Sequence, residues 1–179
     1  MKYFTVKEPG GSLLTIRDIE TRDLAAVTAI YNHYVLNTVV TFDIKAFDVT
    51  ERHSWLSQFS PDTPHQCLVI ENDAEILGYA SSSKFRPKPA YDQTVETTIY
   101  LKPGAGGRGL GTLLYQRLVQ NLLHQPVHLA LGIVALPNPQ SLKLHENCGF
   151  EVIGKLSEVG FKFGSYHDTL LLQKHLGDR

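Results

Sequence analysis

Residues 94–118 read TVETTIYLKPGAGGRGLGTLLYQRL, and this stretch decides the fold. Thr94–Leu101 is rich in β-branched and aromatic residues, the composition of a strand. Lys102 and Pro103 then give way to Gly104, Ala105, Gly106, Gly107, Arg108, Gly109, Leu110 and Gly111. Leu110, Leu113, Leu114, Leu118 and Leu122 recur at helical spacing, so a helix is expected to run to about Leu123. Glycines let backbone N–H groups converge without side-chain obstruction, and the helix start adds a partial positive charge. A strand, a glycine cluster and a helix in this order therefore suit a pyrophosphate. A plain strand-to-helix connection would not need five glycines.

Two familiar phosphate motifs fail here. Gly104, Gly106 and Gly109 fit a literal G-x-G-x-x-G, but a dinucleotide fold also needs an acidic residue about 20 positions on. No Asp or Glu occurs between Glu96 and Glu146. A P-loop requires Gly-Lys-Ser/Thr at the helix start, and Gly111 is followed by Thr112. The acid-free window does contain Lys102, Arg108, Arg117 and Lys143, which makes it locally basic. A multiply phosphorylated ligand fits that pattern.

Working outward, the chain has 179 residues, 42% hydrophobic and 20% charged, a profile able to bury one substantial core. The formal net charge of −1 excludes a general field drawing the molecule to nucleic acid or an anionic membrane. There is no signal-peptide pattern and no apolar run near the roughly 20 residues that span a bilayer. Cys67 and Cys148 lie in apolar stretches, where reduced and buried thiols are expected, as in a cytoplasmic protein. His124 and His128 have i,i+4 spacing, but Pro126 breaks the helix that would align them, so no metal site is expected.

Residues 1–12 read as a flexible N-terminal extension and 13–179 as a single domain. Strands are expected at Leu13–Asp18, 66–71, 76–84, Thr94–Leu101, 127–134, 150–161 and 166–173, with a turn at Asn72 and Asp73. Helices are expected at 21–35 with Thr21 as N-cap, 50–59, 110–123 and 137–147, and residues 38–42 read as loop or irregular strand. The order implies an α/β (α+β) domain: a mixed central sheet of about seven strands with helices on both faces.

Three blocks carry a more specific resemblance. They are YDQTVETTIYL (91–101) followed by GGRGLG (106–111), LPNPQSLKLHENCGF (136–150), and EVGFKFGSYHD (158–168). In this order and spacing the chain resembles the GNAT superfamily of N-acetyltransferases, and within it the phosphinothricin acetyltransferase-like branch. The resemblance implies the GNAT fold and acetyl-CoA as cosubstrate. It implies that the backbone of Thr98, Ile99 and Tyr100 pairs with the pantetheine arm, that Gly106, Gly107, Arg108, Gly109, Leu110 and Gly111 take the pyrophosphate, and that Asn138 contacts the coenzyme. One departure stands out: the loop usually begins with Arg or Gln, and here it begins with Gly106.

Acetyl transfer needs a neutral amine, a polarised carbonyl and a protonated leaving thiolate. Glu96 is an acid within a β-branched strand; its residue type alone fits a solvated strand position equally well, and the resemblance makes it the general base. The resemblance points to the backbone N–H near Ile99 as carbonyl polariser. His145 stands where many relatives have Tyr, as proton donor or substrate contact, although a lone His is more often structural. The resemblance further implies that Phe85, Arg86 and Pro87 contact the amine substrate; Val95 and Thr97 flank Glu96 and are expected to approach the same ligand, with Phe42 and Tyr91 as candidate apolar walls and Phe161 a further one. Arg86 suits a carboxylate; a solvated surface position is the commoner fate of arginine.

The function implied is acetyl-CoA-dependent N-acetylation of the primary amine of a small amino-acid-like substrate such as phosphinothricin or methionine sulfoximine. Alternatives are acetylation of a protein or peptide N-terminus, or a catalytically silent acetyl-CoA sensor. A homodimer is implied by resemblance only; no metal, nucleic-acid or membrane partner is expected.

Overall fold

The computed structural model describes residues 4–7 and 13–177. In chain order the elements are β1 (Phe4–Lys7), β2 (Leu13–Asp18), α1 (Leu24–Asn37), α2 (Arg52–Leu56), β3 (Cys67–Asn72), β4 (Glu75–Lys84), β5 (Thr94–Leu101), α3 (Leu110–Leu122), β6 (Leu129–Ala135), α4 (Pro139–Asn147), β7 (Glu151–Lys162) and β8 (Ser165–His175). They form an eight-stranded sheet in the order β1-β2-β3-β4-β5-β6-β8-β7. The strand beyond the expected seven is β1, which pairs antiparallel with β2 inside the segment read as an extension; residues 1–3 and 8–12 of that segment lie outside the described residues. β5 and β6 form the parallel pair, and the other neighbours are antiparallel.

The sheet carries helices on both faces because its central strands are apolar on both. Leu14, Ile16, Leu68, Ile70 and Ala80 pack under Leu110, Leu114, Tyr115, Leu118 and Leu122 of α3. Cys67, Val69, Ile76 and Tyr79 meet Val27 and Ile30 of α1 on the other side. Each fully buried leucine contributes about 1.5–3 kcal/mol, so α3 anchors its face strongly. A bulge where Ile70 pairs with Gly78 and Glu71 with Ile76 leaves Leu77 as the extra residue. Leu77 joins the α3 side while Ile76 faces α1.

The helix starts differ from expectation in instructive ways. A single 3₁₀ turn, Thr21–Asp23, precedes α1, and Glu20 rather than Thr21 occupies the N-cap. Its backbone N–H donates to Asp23 Oδ2 at 2.8 Å. Asp23 also receives Arg17 Nη1 at 2.6 Å and Nη2 at 2.8 Å, while Nη2 reaches Glu71 at 2.7 Å. Burial alone would raise the Asp23 carboxyl, but the arginine hydrogen bonds hold it below its ordinary value. This buried triad ties the start of α1 to β2 and β3. The expected helix over 50–59 shrinks to α2, and residues 38–48 between α1 and α2 are irregular.

Candidate active site

β5 pairs with β4 along its length, from Val95 opposite Lys84 to Leu101 opposite Gly78, and β6 pairs with β8 along its length. Between β5 and β6 the ladder holds only Thr94–Leu129, Val95–Ala130 and Glu96–Leu131. Each strand follows its other neighbour, so the two diverge beyond Glu96. Lys102 N–H donates to Leu77 C=O, which fixes the phase of the β4–β5 ladder. Residues facing each other alternate between bonding toward the partner and away from it, so the N–H and C=O of Ile99 turn away from β4 toward the gap. Leu101 C=O points the same way and accepts from Tyr34 Oη at 2.7 Å.

The gap opens into a cleft of about 580 Å³. Thr98, Ile99, Tyr100, Gly106, Gly107 and Asn138, all expected at the coenzyme, line it. Gly104, Gly107 and Gly109 have φ of +84°, +81° and +77°, a region open to glycine at little cost. They shape a loop whose last residue, Gly109, is the N-cap of α3. The first-turn N–H groups of α3, lacking intrahelical acceptors, are available to an anion. Gly106 has no positive φ, and a Cβ there would meet nothing within 4 Å. Asn138 is the N-cap of α4, just outside the helix, and its Oδ1 accepts from Ser141 N–H at 3.1 Å. Of the remaining expected residues, Arg108 is exposed, Leu110 is buried in the core, and a Cβ on Gly111 would stand 2.7 Å from Leu144 Cδ1.

Alternation along β5 sorts its side chains. Val95 and Thr97, expected beside the amine, point to the α3 face and are buried, because residues adjacent in a strand project to opposite sides. Thr97 Oγ1 has one hydroxyl proton for two acceptors, Leu131 C=O at 2.9 Å and Tyr115 Oη at 2.6 Å. Glu96, Thr98 and Tyr100 share the other face, where Glu96 stands opposite Ser83. Glu96 is half-buried, and desolvation raises its carboxyl above the ordinary value. Beside it on this face lies a second cavity of about 500 Å³, walled by Ser81, Ser83, Thr98 and Tyr100 together with Arg52 and Trp55 of α2. A third, of about 540 Å³ around Arg17 and Ile30, touches no residue of β5.

His145 reaches the wall of the glycine-rimmed cleft but is 4% exposed, and both ring nitrogens are engaged. Burial lowers its pKa, so the ring is neutral. Nδ1–H donates to Ser141 C=O at 2.8 Å, which leaves Nε2 to accept from Tyr115 Oη at 3.0 Å. Gly132 makes room for the ring, since a Cβ there would lie 2.7 Å from Nε2. Tyr115 was legible in the sequence only as a residue of the α3 helix.

The other expected amine contacts lie outside both cavities. Phe85 and Tyr91 meet edge to face at 5.7 Å, and the exposed Arg86 stacks over both, so its cation rests on rings at the β4–β5 connection. Pro87 is exposed beside them. Phe42 packs on Gly160 of β7 and stacks on His167, while Phe161 is exposed against Tyr166. Lys162 Nζ donates to Thr41 C=O at 2.7 Å, pinning the 38–48 segment to β7.

Residues 16–171 match the acetyltransferase (GNAT) domain family. The chain is 44% identical to a phosphinothricin N-acetyltransferase of Streptomyces coelicolor over 94% of its own length and 99% of the relative's. It is 32% identical to an L-methionine sulfoximine/L-methionine sulfone acetyltransferase of Pseudomonas aeruginosa, covering 90% of this chain and 94% of that one. The crystal structure of a GNAT superfamily phosphinothricin acetyltransferase from Sinorhizobium meliloti in complex with acetyl-CoA superposes with a TM-score of 0.86 at 33% identity, covering 92% and 89% of the two chains.

Proposed function

The chain belongs to the GNAT acetyltransferase family, and from that premise we propose that it moves the acetyl group of acetyl-CoA to the primary amine of a small amino-acid-like substrate such as phosphinothricin or methionine sulfoximine. One observation carries this reading: β5 turns unladdered backbone into a glycine-rimmed cleft and a half-buried carboxylate, Glu96, to its other face. The names of the relatives support the substrate class.

The acetyl-CoA would supply the activated thioester. The residues present suit it: the loop through Gly104, Gly107 and Gly109 and the start of α3 suit a pyrophosphate, and the edge of β5 suits an amide-bearing arm. Ile99 N–H is the donor placed to polarise the carbonyl. Glu96 takes the ammonium proton directly or through one water, and its raised pKa brings its basicity closer to the working pH. His145 and Tyr115 hold the floor of the cleft through Thr97 rather than act as free proton donors, and the second proton, shed by the attacking nitrogen as the C–S bond breaks, goes to the departing thiolate.

Val152, Ile153, Leu156, Val159 and Phe161 of the edge strand β7 are exposed, which supports a homodimer formed through this edge. Cys67 and Cys148 are free and buried, in keeping with a reducing cytoplasm. No described helix is long and apolar enough to cross a membrane.

The test is free-thiol release from acetyl-CoA with a panel of phosphinothricin, methionine sulfoximine, proteinogenic amino acids and short peptides. Turnover on free amino-acid-like amines is expected. Turnover on peptides alone would replace this reading with N-terminal acetylation, and no turnover by folded protein would overturn it.

A further inference from the structure

Arg52 of α2 is 6% exposed, yet its buried Nε and Nη2 have no hydrogen-bond partner among the described residues. A buried cation without an acceptor is costly, so its surroundings need an account. The guanidinium carbon sits 3.7 Å from the centre of the Trp55 ring, 5.0 Å from that of Tyr31 and 5.6 Å from that of Phe47. Aromatic faces hold the flat side of the cation, while its N–H donors radiate in plane and are not used by stacking. The carboxylates that share this cavity have other partners: Asp43 accepts from Tyr31 Oη at 2.5 Å, and Glu51 from Asp48 N–H at 2.7 Å. The cavity wall continues through Thr98 and Ser83, the neighbours of Glu96 along β5 and across to β4.

We propose that Arg52 is a substrate-binding residue that receives an oxyanion of the amine substrate within the α2-side cavity, so that the enzyme selects amines carrying an acidic group. A caged guanidinium whose buried Nε and Nη2 lack a partner among the described residues matches a carboxylate or phosphinate, which accepts two parallel hydrogen bonds once seated against them. This assigns the interior anion site to Arg52 and leaves Arg86 on the outer surface, where its cation already rests on Phe85 and Tyr91. The inference rests on the amine-acetylation reading above.

Three amines separate the sources of the anion: phosphinothricin has an α-carboxylate and a phosphinate, its α-carboxamide keeps only the phosphinate, and methionine sulfone keeps only the α-carboxylate. Arg52→Met is expected to lower kcat/KM about 100-fold, through KM, on the two amines carrying the group that Arg52 holds, and to spare the third. Arg52→Lys should recover part of the loss, and Arg86→Ala should leave the pattern among the three unchanged. Equal losses on all three amines, or no loss on any, would overturn the assignment.

Trp55 is the only tryptophan in the chain, so its emission reports binding independently of turnover and of any variant's folding. Phosphinothricin should change it saturably in the wild-type protein, and n-butylamine should not; equal responses would overturn the proposal. If the wild-type protein acetylates none of the amines, the reading of its function fails, and this titration still decides the anion site.

Discussion

The two cavities that share Thr98 and Tyr100 of β5 are built on opposite plans. The glycine-rimmed cleft is made of backbone: a strand edge released where β5 parts from β6, glycines at positive φ, and the start of α3. The α2-side cavity is made of side chains, with Arg52, Trp55, Tyr31 and Phe47 brought from α1, α2 and the segment between them. Backbone recognition suits a ligand that does not vary. Side-chain recognition can be rewritten one residue at a time, as a changing amine requires.

Substitutions on each side should therefore separate cleanly. Glu96→Gln should lower kcat about 100- to 1000-fold, and the acid limb of the kcat/KM profile that belongs to the raised Glu96 carboxyl should vanish with it. Tyr115→Phe should cost about 1–3 kcal/mol in chemical denaturation, because it leaves His145 Nε2 buried without its donor. Gly107→Ala forces a side chain to φ +81° and should raise the acetyl-CoA KM about tenfold with kcat little changed. Gly106→Gln meets no obstruction and should lower that KM about threefold by restoring a side-chain contact.

The smallest effect is on stability. The folded state binds the Glu96 proton more tightly than the unfolded chain does, so this group's contribution is favourable at low pH and is lost as pH rises through the raised pKa. Glu96→Gln should then melt above the wild-type protein at pH 7, with the difference shrinking toward pH 4 in a thermal-melt series.

The same contrast explains what could be read in the sequence. Thr94–Leu101 forms β5 with the expected bounds, and the glycine cluster forms the loop, because backbone demands leave a local imprint in glycine and β-branched residues. Side-chain sites leave none. Arg52 and Trp55 fall within the expected 50–59 helix, but nothing local distinguishes a buried arginine from a solvated one; burial is decided by Tyr31 and Phe47, which arrive from elsewhere in the chain. Val95 and Thr97 lie on the α3 side for a reason the sequence contains, since a period of two sends the neighbours of Glu96 to the opposite face. β1 carries too few residues to announce itself and is defined by its pairing with β2.

The central claim is that β5 serves the coenzyme with its backbone and the amine with Glu96. Calorimetric titration of Glu96→Gln with acetyl-CoA, run beside a turnover assay on the same preparation, tests it most directly. The account predicts a dissociation constant within about twofold of wild type together with nearly abolished acetyl transfer. Binding weakened about tenfold or more, or transfer left intact, would contradict it.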